Sequence, residues 1–255
     1  MTIGKRKGYT AKGTGAAIGS PGAVNDEVGG SLSKNDHWYL QQGFGMGVDP
    51  GKAPVPAMDA TGGVINDYTT PGGDVYRSHI FTGTSNFVVN SLSDIPANNS
   101  VHYMVVAGGG GGGAGFGGAG GAGGLRTNIP GNPYSTNVAF PIPAAGTYPV
   151  VVGAGGAAGR NTKAGSDGGH SSFGSPTQGI ITSTGGGFGG GNPENKNAGP
   201  GGSGGSGGMV GGAGTPGSAV AITTPSPWPG PAVQGYAGGA SYDPGGFGSN
   251  NTGGG

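Results

Sequence analysis

The residues that most often perform chemistry are sparse in this sequence and lack catalytic spacing. The histidines form no HxxxH or HExxH pattern, the spacing of helical zinc sites; they are His37, His79, His102 and His170. His79 and His102 lie in predicted strands, where we expect them to pack against neighbouring strands. Asp167 and Glu194 have no carboxylate close in sequence with which to share acid and base roles. We therefore predict no catalytic site and no metal site.

Nucleotide-binding loops are also missing. Gly51-Lys52 fails the GxxxxGK(S/T) pattern of a phosphate loop, because Met46 and Ala53 stand where glycine and serine or threonine are required. GxGxxG strings occur, but so glycine-rich a chain contains them by chance. The sequence predicts no cofactor and a protein that is not an enzyme.

Aromatic residues favour contact with a partner instead of catalysis. They lie among prolines and glycines in residues 225–248 and are Trp228, Tyr236, Tyr242 and Phe247. Aromatic rings held on rigid loops suit the binding of sugars or protein receptors. The alternative is that these rings cover the glycine-rich segments as caps.

The first sixty residues contain a second candidate contact region. Lys5, Arg6 and Lys7 form the most basic stretch, which is either a solvated tail or a docking site for an acidic partner surface. His37-Trp38-Tyr39 belongs to the densest apolar stretch of this region and is a candidate anchor.

Composition limits both the class of protein and its partners. The chain has 255 residues, of which 68 are Gly and 20 Pro, and it contains no Cys. Its 11 basic and 11 acidic residues balance, whereas a nucleic-acid surface needs a basic excess. No run approaches the ~20 apolar residues of a membrane span. The N-terminus has no apolar core of a signal peptide, which favours synthesis in the cytoplasm without export by the general secretory route.

Three zones follow along the chain. Residues 1–60 are irregular and predict an extended attachment segment and linker. Residues 61–107 predict a β-hairpin and strand region, in which 75–82 pairs with 86–90 and 101–107 forms a further strand. In that strand Val101, Tyr103 and Val105 are expected to share one face. Residues 108–255 hold most of the glycines, interrupted by strand-like runs at 147–152 and 180–184.

A three-residue glycine repeat is the sharpest pattern in the third zone. Glycine recurs at every third position from Gly109 to Gly124 and from Gly199 to Gly217. A period of three matches the polyproline-II-type helix, so each tract predicts a helix of ~50–60 Å. A second position of each triplet is also mostly glycine, so two faces are bare and can pack against neighbours. We predict a mainly β fold with polyglycine-II-type helices, no substantial α-helix and an extended N-terminal segment.

The order of motifs resembles the glycine-rich domain of bacteriophage tail-fibre and related virion proteins. The motifs are VHYMVVAGGGGGG followed by GGLR (101–126), TYPVVVGAGG (147–156), and SSFG followed by IITSTGGG (171–187). The resemblance covers roughly residues 61–217. It also implies a closing β-strand after the last glycine tract, and residues 250–255 (NNTGGG) contain none.

The resemblance implies a virion structural protein, often a homotrimer. The first zone would dock onto other virion proteins, and the glycine-rich zone would project outward. One alternative is a receptor-binding adhesin that contacts a host glycan or protein through the aromatic loops. A second is an extracellular glycine-rich matrix or ice-binding protein.

Overall fold

A computed structural model describes residues 2–3, 57–69, 71, 75–194, 197–208, 214–220 and 234–241. These residues form a mainly β structure, and their helical content is one 3-10 turn at Pro96–Asn98. This confirms the predicted mainly β fold without substantial α-helix. The strands are β1 (Thr2–Ile3), β2 (Asp59–Thr61), β3 (Val64–Thr69), β4 (Val75–Ile80), β5 (Ser85–Ser91), β6 (Ser100–Val101), β7 (Tyr103–Val106), β8 (Leu125–Thr127), β9 (Phe140–Pro141), β10 (Gly146–Val151), β11 (Ser171–Ser175) and β12 (Gly179–Ser183).

Two five-stranded sheets and one short pair organise these strands. The first sheet has the order β3-β4-β1-β7-β8, and the second has the order β12-β11-β10-β5-β2. Strands β6 and β9 pair with each other. All neighbouring strands are antiparallel. The backbone of β1 lies between β4 and β7 and joins the two halves of the first sheet. The expected zone boundary at residue 60 falls inside β2.

The apolar core lies between the two sheets. Inward-facing residues of both sheets contribute to it, together with Phe140 from the β6–β9 pair. The residues contributed by the sheets include Tyr103, Val105, Phe87, Val89, Tyr148, Val150, Phe173 and Ile181. The aromatic rings make edge contacts, since the Phe87 and Phe173 centroids are 6.1 Å apart at 74°. This geometry is favourable for aromatic pairs. A side-chain core of ordinary kind therefore fills the sandwich.

Alternation along β6 and β7 follows the sequence pattern. Val101, Tyr103 and Val105 are fully buried, whereas His102 and Met104 are partly exposed. The predicted common face of these three residues is confirmed. The strand-like runs at 147–152 and 180–184 are likewise strands β10 and β12.

The predicted hairpin between 75–82 and 86–90 is wrong. Both strands exist, but β4 pairs with β3 and β1, whereas β5 pairs with β10 and β2 in the other sheet. The link between them crosses from one sheet to the other and places Phe81 in the core with 2% exposure. Phe81 lies two residues after buried His79, and burial of its ring between the sheets stabilises this crossing.

His79 joins the two sheets at one side of the sandwich. Its imidazole Nδ1 lies 2.8 Å from the Gly62 carbonyl oxygen, so Nδ1–H donates to the loop that carries the chain from β2 to β3. Its ring meets Phe87 of the other sheet edge-on at 5.0 Å. Burial lowers the pKa of His79, and the bond to Gly62 opposes that shift only in part. The expected packing of His79 across strands is confirmed.

Gln234 joins the sheets at the other side. Its backbone carbonyl accepts from the Leu125 N–H at the edge of β8. Its side-chain amide accepts from the Thr184 N–H and donates to the Thr182 carbonyl on β12. One buried glutamine thus satisfies backbone groups at the outer edges of both sheets.

Candidate functional site: the glycine-rich bundle

The glycine-rich segments continue the strands beyond one end of the sandwich. Strand β7 runs on into 107–114, which turns back as 117–124 into β8. Strand β10 runs on into 153–159, which turns back as 163–169 into β11, and β12 runs on into 184–191. We call these five segments, together with 198–208 and 214–220, the glycine bundle. Because the strands are antiparallel, outgoing and returning segments alternate at the exit.

Hydrogen bonds between the segments recur at every third residue. Segment 107–114 donates to its returning neighbour through Ala107, Gly110 and Gly113, whose N–H groups reach the carbonyls of Gly124, Gly121 and Gly118. It donates to 163–169 through Gly108, Gly111 and Ala114, which reach Gly169, Ser166 and Lys163. Both sets step by three along the chain, whereas a β-ladder steps by two.

The same segment accepts bonds from two further neighbours. Gly156 and Gly159 donate to the carbonyls of Gly109 and Gly112, and Gly186 and Gly189 donate to those of Gly108 and Gly111. Segment 107–114 therefore has four hydrogen-bonded neighbours, two parallel and two antiparallel to it. A β-strand has two neighbours in one plane. The hydrogen bonds thus radiate around the segment and are not confined to one sheet plane.

Glycine is required inside the bundle because backbones touch there. Residues 185–187, 189–191 and 201–208 are buried. A Cβ added at Gly186, Gly187 or Gly205 would lie under 3.0 Å from the carbonyl oxygen of a neighbouring segment. The interior therefore consists of main chain where the sandwich contains side chains.

One row of positions faces outward and leaves space. A Cβ at Gly109 would be 3.6 Å from its nearest neighbour, and one at Gly112 would be 3.5 Å away, both ordinary contacts. On the returning segment, Phe116, Ala119 and Ala122 are exposed. Two faces of the first tract are therefore packed, and the third faces outward.

The second tract departs from this expectation. Its third-face residues Ser203 and Ser206 are buried, with Ser206 fully enclosed. The Ser206 hydroxyl lies 2.6 Å from the Ala119 N–H and accepts from it. A serine is accommodated inside the bundle because its hydroxyl bonds to the backbone that it approaches.

The expectation of one continuous helix per tract is wrong. The first tract turns back at Gly115, where φ is +65°, and the second divides into pieces within 198–208 and 214–220. A single straight polyproline-type helix has no internal hydrogen bonds. Folding back supplies each piece with partners from its own chain.

Segment 234–241 covers part of the bundle. The Gly204 N–H donates to the Tyr236 carbonyl, the Tyr236 N–H donates to the Ser203 hydroxyl, and the Gly238 N–H donates to the Gly217 carbonyl. The main chain around Tyr236 thus caps buried glycines. The Tyr236 side chain points away, with 67% exposure.

Tyr236 also meets a tyrosine that the sequence did not single out. Its hydroxyl lies 2.8 Å from that of Tyr134, which is 45% exposed and comes from the loop after β8. This hydrogen bond raises the pKa of Tyr236. The residues are 102 positions apart, so no local pattern links them. The other predicted contact residues lie outside the described ones; they are Trp228, Tyr242, Phe247, Lys5, Arg6, Lys7, His37, Trp38 and Tyr39.

The described histidines hold polar contacts within the fold. His102 Nδ1 lies 3.1 Å from the Asn128 side-chain nitrogen, and His170 Nδ1 accepts from the Gly185 N–H at 2.9 Å. Among the described residues no group of three or more His, Cys, Asp or Glu is arranged to hold a metal ion. In that same part of the chain no helix is long and apolar enough to cross a membrane.

Fold and bundle together define a class of glycine-rich β protein, in which a sandwich extends into a backbone-bonded bundle. The sequence profile of the family described as "Glycine-rich domain" matches residues 82–255. This is more than half of the chain, and the protein belongs to that family. No curated protein and no solved structure matches it.

Proposed function

We propose that the glycine bundle is a set of polyglycine-II-type helices that forms a stiff scaffold. The three-residue spacing of the hydrogen bonds and the four neighbours around segment 107–114 support this conformation. Such a helix exposes N–H and C=O groups in three directions, so several neighbours can bond to it at once. The backbone would then carry the stiffness that side-chain packing gives elsewhere.

Residue-resolved amide exchange tests this conformation. The N–H groups of Gly110, Gly113, Gly118 and Gly121 donate between segments, so their exchange should be slow. Those of Gly109 and Gly112 donate no bond within the described residues and should exchange fast. Uniformly fast exchange over 109–124 and 199–217 would mean a loose tether, and a two-residue alternation would mean a β-ladder.

We propose that the protein is a phage virion structural protein, a tail fibre or fibre-like appendage. The supporting observation is that the bundle extends the sandwich from one end, mainly through backbone hydrogen bonds. Such an extension suits a projecting element that resists bending without enzymatic groups. The motif order over residues 101–187, which resembles phage fibre domains, supports the setting. The N-terminal zone would dock to the particle, and the protein would work as a homo-oligomer.

Particle incorporation tests this setting. Deleting residues 1–60 removes β1 and two of the three residues of β2 together with the proposed docking zone, so a milder variant is needed beside it. Replacing Lys5, Arg6 and Lys7 with Ser, or Trp38 and Tyr39 with Ala, keeps those strands. If the zone docks, particles should lack the variant protein while it still folds, as judged by thermal unfolding. Normal incorporation of both substituted proteins would refute docking through these residues.

A second candidate function is a receptor-binding adhesin. The exposed Tyr134–Tyr236 pair favours it, because two aromatic rings with bridged hydroxyls present a rigid amphipathic surface. Replacing Trp228 and Tyr236 with Ala should lower host adsorption while particle assembly stays normal. Replacing the exposed Ile180 on the sandwich with Ala is the control and should leave adsorption unchanged. Equal loss in both variants would argue against the aromatic loops.

A further inference from the structure

The outer edges of the two sheets differ in how they are protected. Strand β2 is only three residues long and has a register shift between Asp59 and Ala60. The outer edges of β8 and β12 are bonded by Gln234. Strand β3 has six residues, a regular register with β4 and no bonded strand on its outer side among the described residues.

Strand β3 also carries an unusual amount of exposed apolar surface. All six of its residues are exposed, among them Val64 at 64%, Ile65 at 43% and Tyr68 at 50%. It has none of the lysines, prolines or bulges that commonly prevent edge strands from pairing. Its single charged residue, Asp67, is paired with Arg77 of the same chain. A long, regular edge with three exposed apolar side chains is a template for another strand.

We propose that β3 pairs antiparallel with β3 of a second copy of this chain around a two-fold axis. In such a pair the residue numbers of opposite residues have a constant sum. Centring the pair on Asn66 places Val64 opposite the partner's Tyr68 and Asn66 opposite the partner's Asn66. The first is a β-branched–aromatic pair of the kind that stabilises sheets, and the second brings two amides into hydrogen-bonding range.

Charge disfavours the neighbouring register that is centred on Asp67. Centring on Asp67 would place two carboxylates directly opposite each other, which destabilises a sheet. In the register centred on Asn66, each Asp67 faces Ile65 of the other copy. Asp67 is already held in its own chain by Arg77, with side-chain contacts of 2.7 and 2.8 Å. The register centred on Asn66 thus avoids the like-charge pair and brings residues 64 and 68 of the two copies together.

The occupant is a second copy because one strand supplies both halves of each favourable pair. A two-fold contact uses the β3 edge of both chains, so it joins the chains in pairs. It therefore predicts a dimer, where the family resemblance implied a trimer. The inference does not depend on the proposed phage setting.

Charge reversal across the predicted pair tests both the contact and its register. Residues 64 and 68 lie ~14 Å apart along one strand, so they do not meet within a chain. In Val64→Lys/Tyr68→Lys, lysine opposes lysine twice, and the full-length protein should become monomeric. In Val64→Lys/Tyr68→Glu, lysine opposes glutamate twice, and the dimer should return. Both variants lose the Tyr68–Tyr76 stack equally, so they are matched in local stability.

Light scattering over a dilution series measures the molar mass of each protein in solution. Thermal unfolding shows whether each variant is folded. Ile180→Lys on β12 is the control, because Ile180 is exposed to a similar degree at 46% on a strand whose edge Gln234 protects. This variant should remain dimeric. A monomeric or trimeric wild-type protein would overturn the proposal, as would equal masses for the Lys/Lys and Lys/Glu variants.

Discussion

The sandwich and the glycine bundle fill their interiors in opposite ways. Between the sheets, side chains such as Phe87, Phe173 and Ile181 exclude water and leave the backbone at the periphery. In the bundle, the backbone itself occupies the interior, and buried residues such as Gly186 and Gly187 bond directly to neighbouring segments. The side-chain interior of the sandwich can accommodate a substitution of different shape, with some loss of stability. The bundle interior has no space for a single carbon atom at most buried positions.

This contrast shows what each interior gains and loses. Apolar burial stabilises by ~25 cal/mol per Å² and has no directional requirement. Bundle stability depends on many net hydrogen bonds of ~1 kcal/mol each, set against the large conformational entropy of glycine. The bundle is therefore cooperative, and it needs the sandwich to set the register of its segments. The strand exits provide that register.

The largest expected effect is in the side-chain interior. Phe173→Ala should destabilise the protein by about 3–5 kcal/mol, because it removes a fully buried ring and leaves a cavity. Phe116→Ala is the matched control, since Phe116 is 59% exposed in the bundle turn, and it should change stability by about 0.5 kcal/mol or less. Chemical denaturation measures both, and similar losses would contradict the assignment of the core to the sandwich.

A smaller but sharper effect is expected in the bundle. Gly110→Ala places a Cβ against the Gly187 carbonyl and should cost about 1–3 kcal/mol. Its neighbour Gly109 faces outward, so Gly109→Ala should be neutral or stabilise by up to about 1 kcal/mol through the unfolded state. The difference in free energy of unfolding between these adjacent variants checks the packing. If both alanines cost the same, the bundle would not be packed by faces.

The junction at His79 should make stability depend on pH. Its pKa is lowered in the folded state, so the unfolded chain binds the proton more readily. The free energy of unfolding should therefore be greatest above pH ~6.5 and fall as the pH drops below it, by at most ~1.4 kcal/mol per pH unit. Denaturation between pH 7 and 5 measures this slope, and His79→Gln should flatten it. An unchanged slope in that variant would assign the dependence to other groups.

The smallest effect is expected at the exposed tyrosine pair. Tyr134→Phe removes the hydrogen bond that raises the pKa of Tyr236, so Tyr236 should ionise closer to the ordinary tyrosine range. Absorbance titration in the alkaline range, with Tyr68→Phe as control, detects the shift. Identical titrations of both variants would mean that the hydroxyls are not bonded in solution.

Much of the local structure could be predicted from the sequence. The alternation at 101–105 predicted the buried face that contains Val101, Tyr103 and Val105. The β-branched runs at 147–152 and 180–184 predicted strands β10 and β12. The threefold glycine spacing indicated segments with bare, packable faces. These features depend on residue type and short-range periodicity, so neighbouring positions in the sequence carry them.

Only the tertiary structure decided which segments meet. Periodicity does not show that β4 and β5 belong to different sheets, because β5 pairs with the distant strand β10 while β4 pairs with β3. It does not show that the first glycine tract folds back at Gly115, since the partners of its N–H groups lie up to 87 residues away. The same holds for Gln234 between two sheet edges and for Tyr134 beside Tyr236. Each is a long-range contact, whose free energy depends on packing and not on local residue preference.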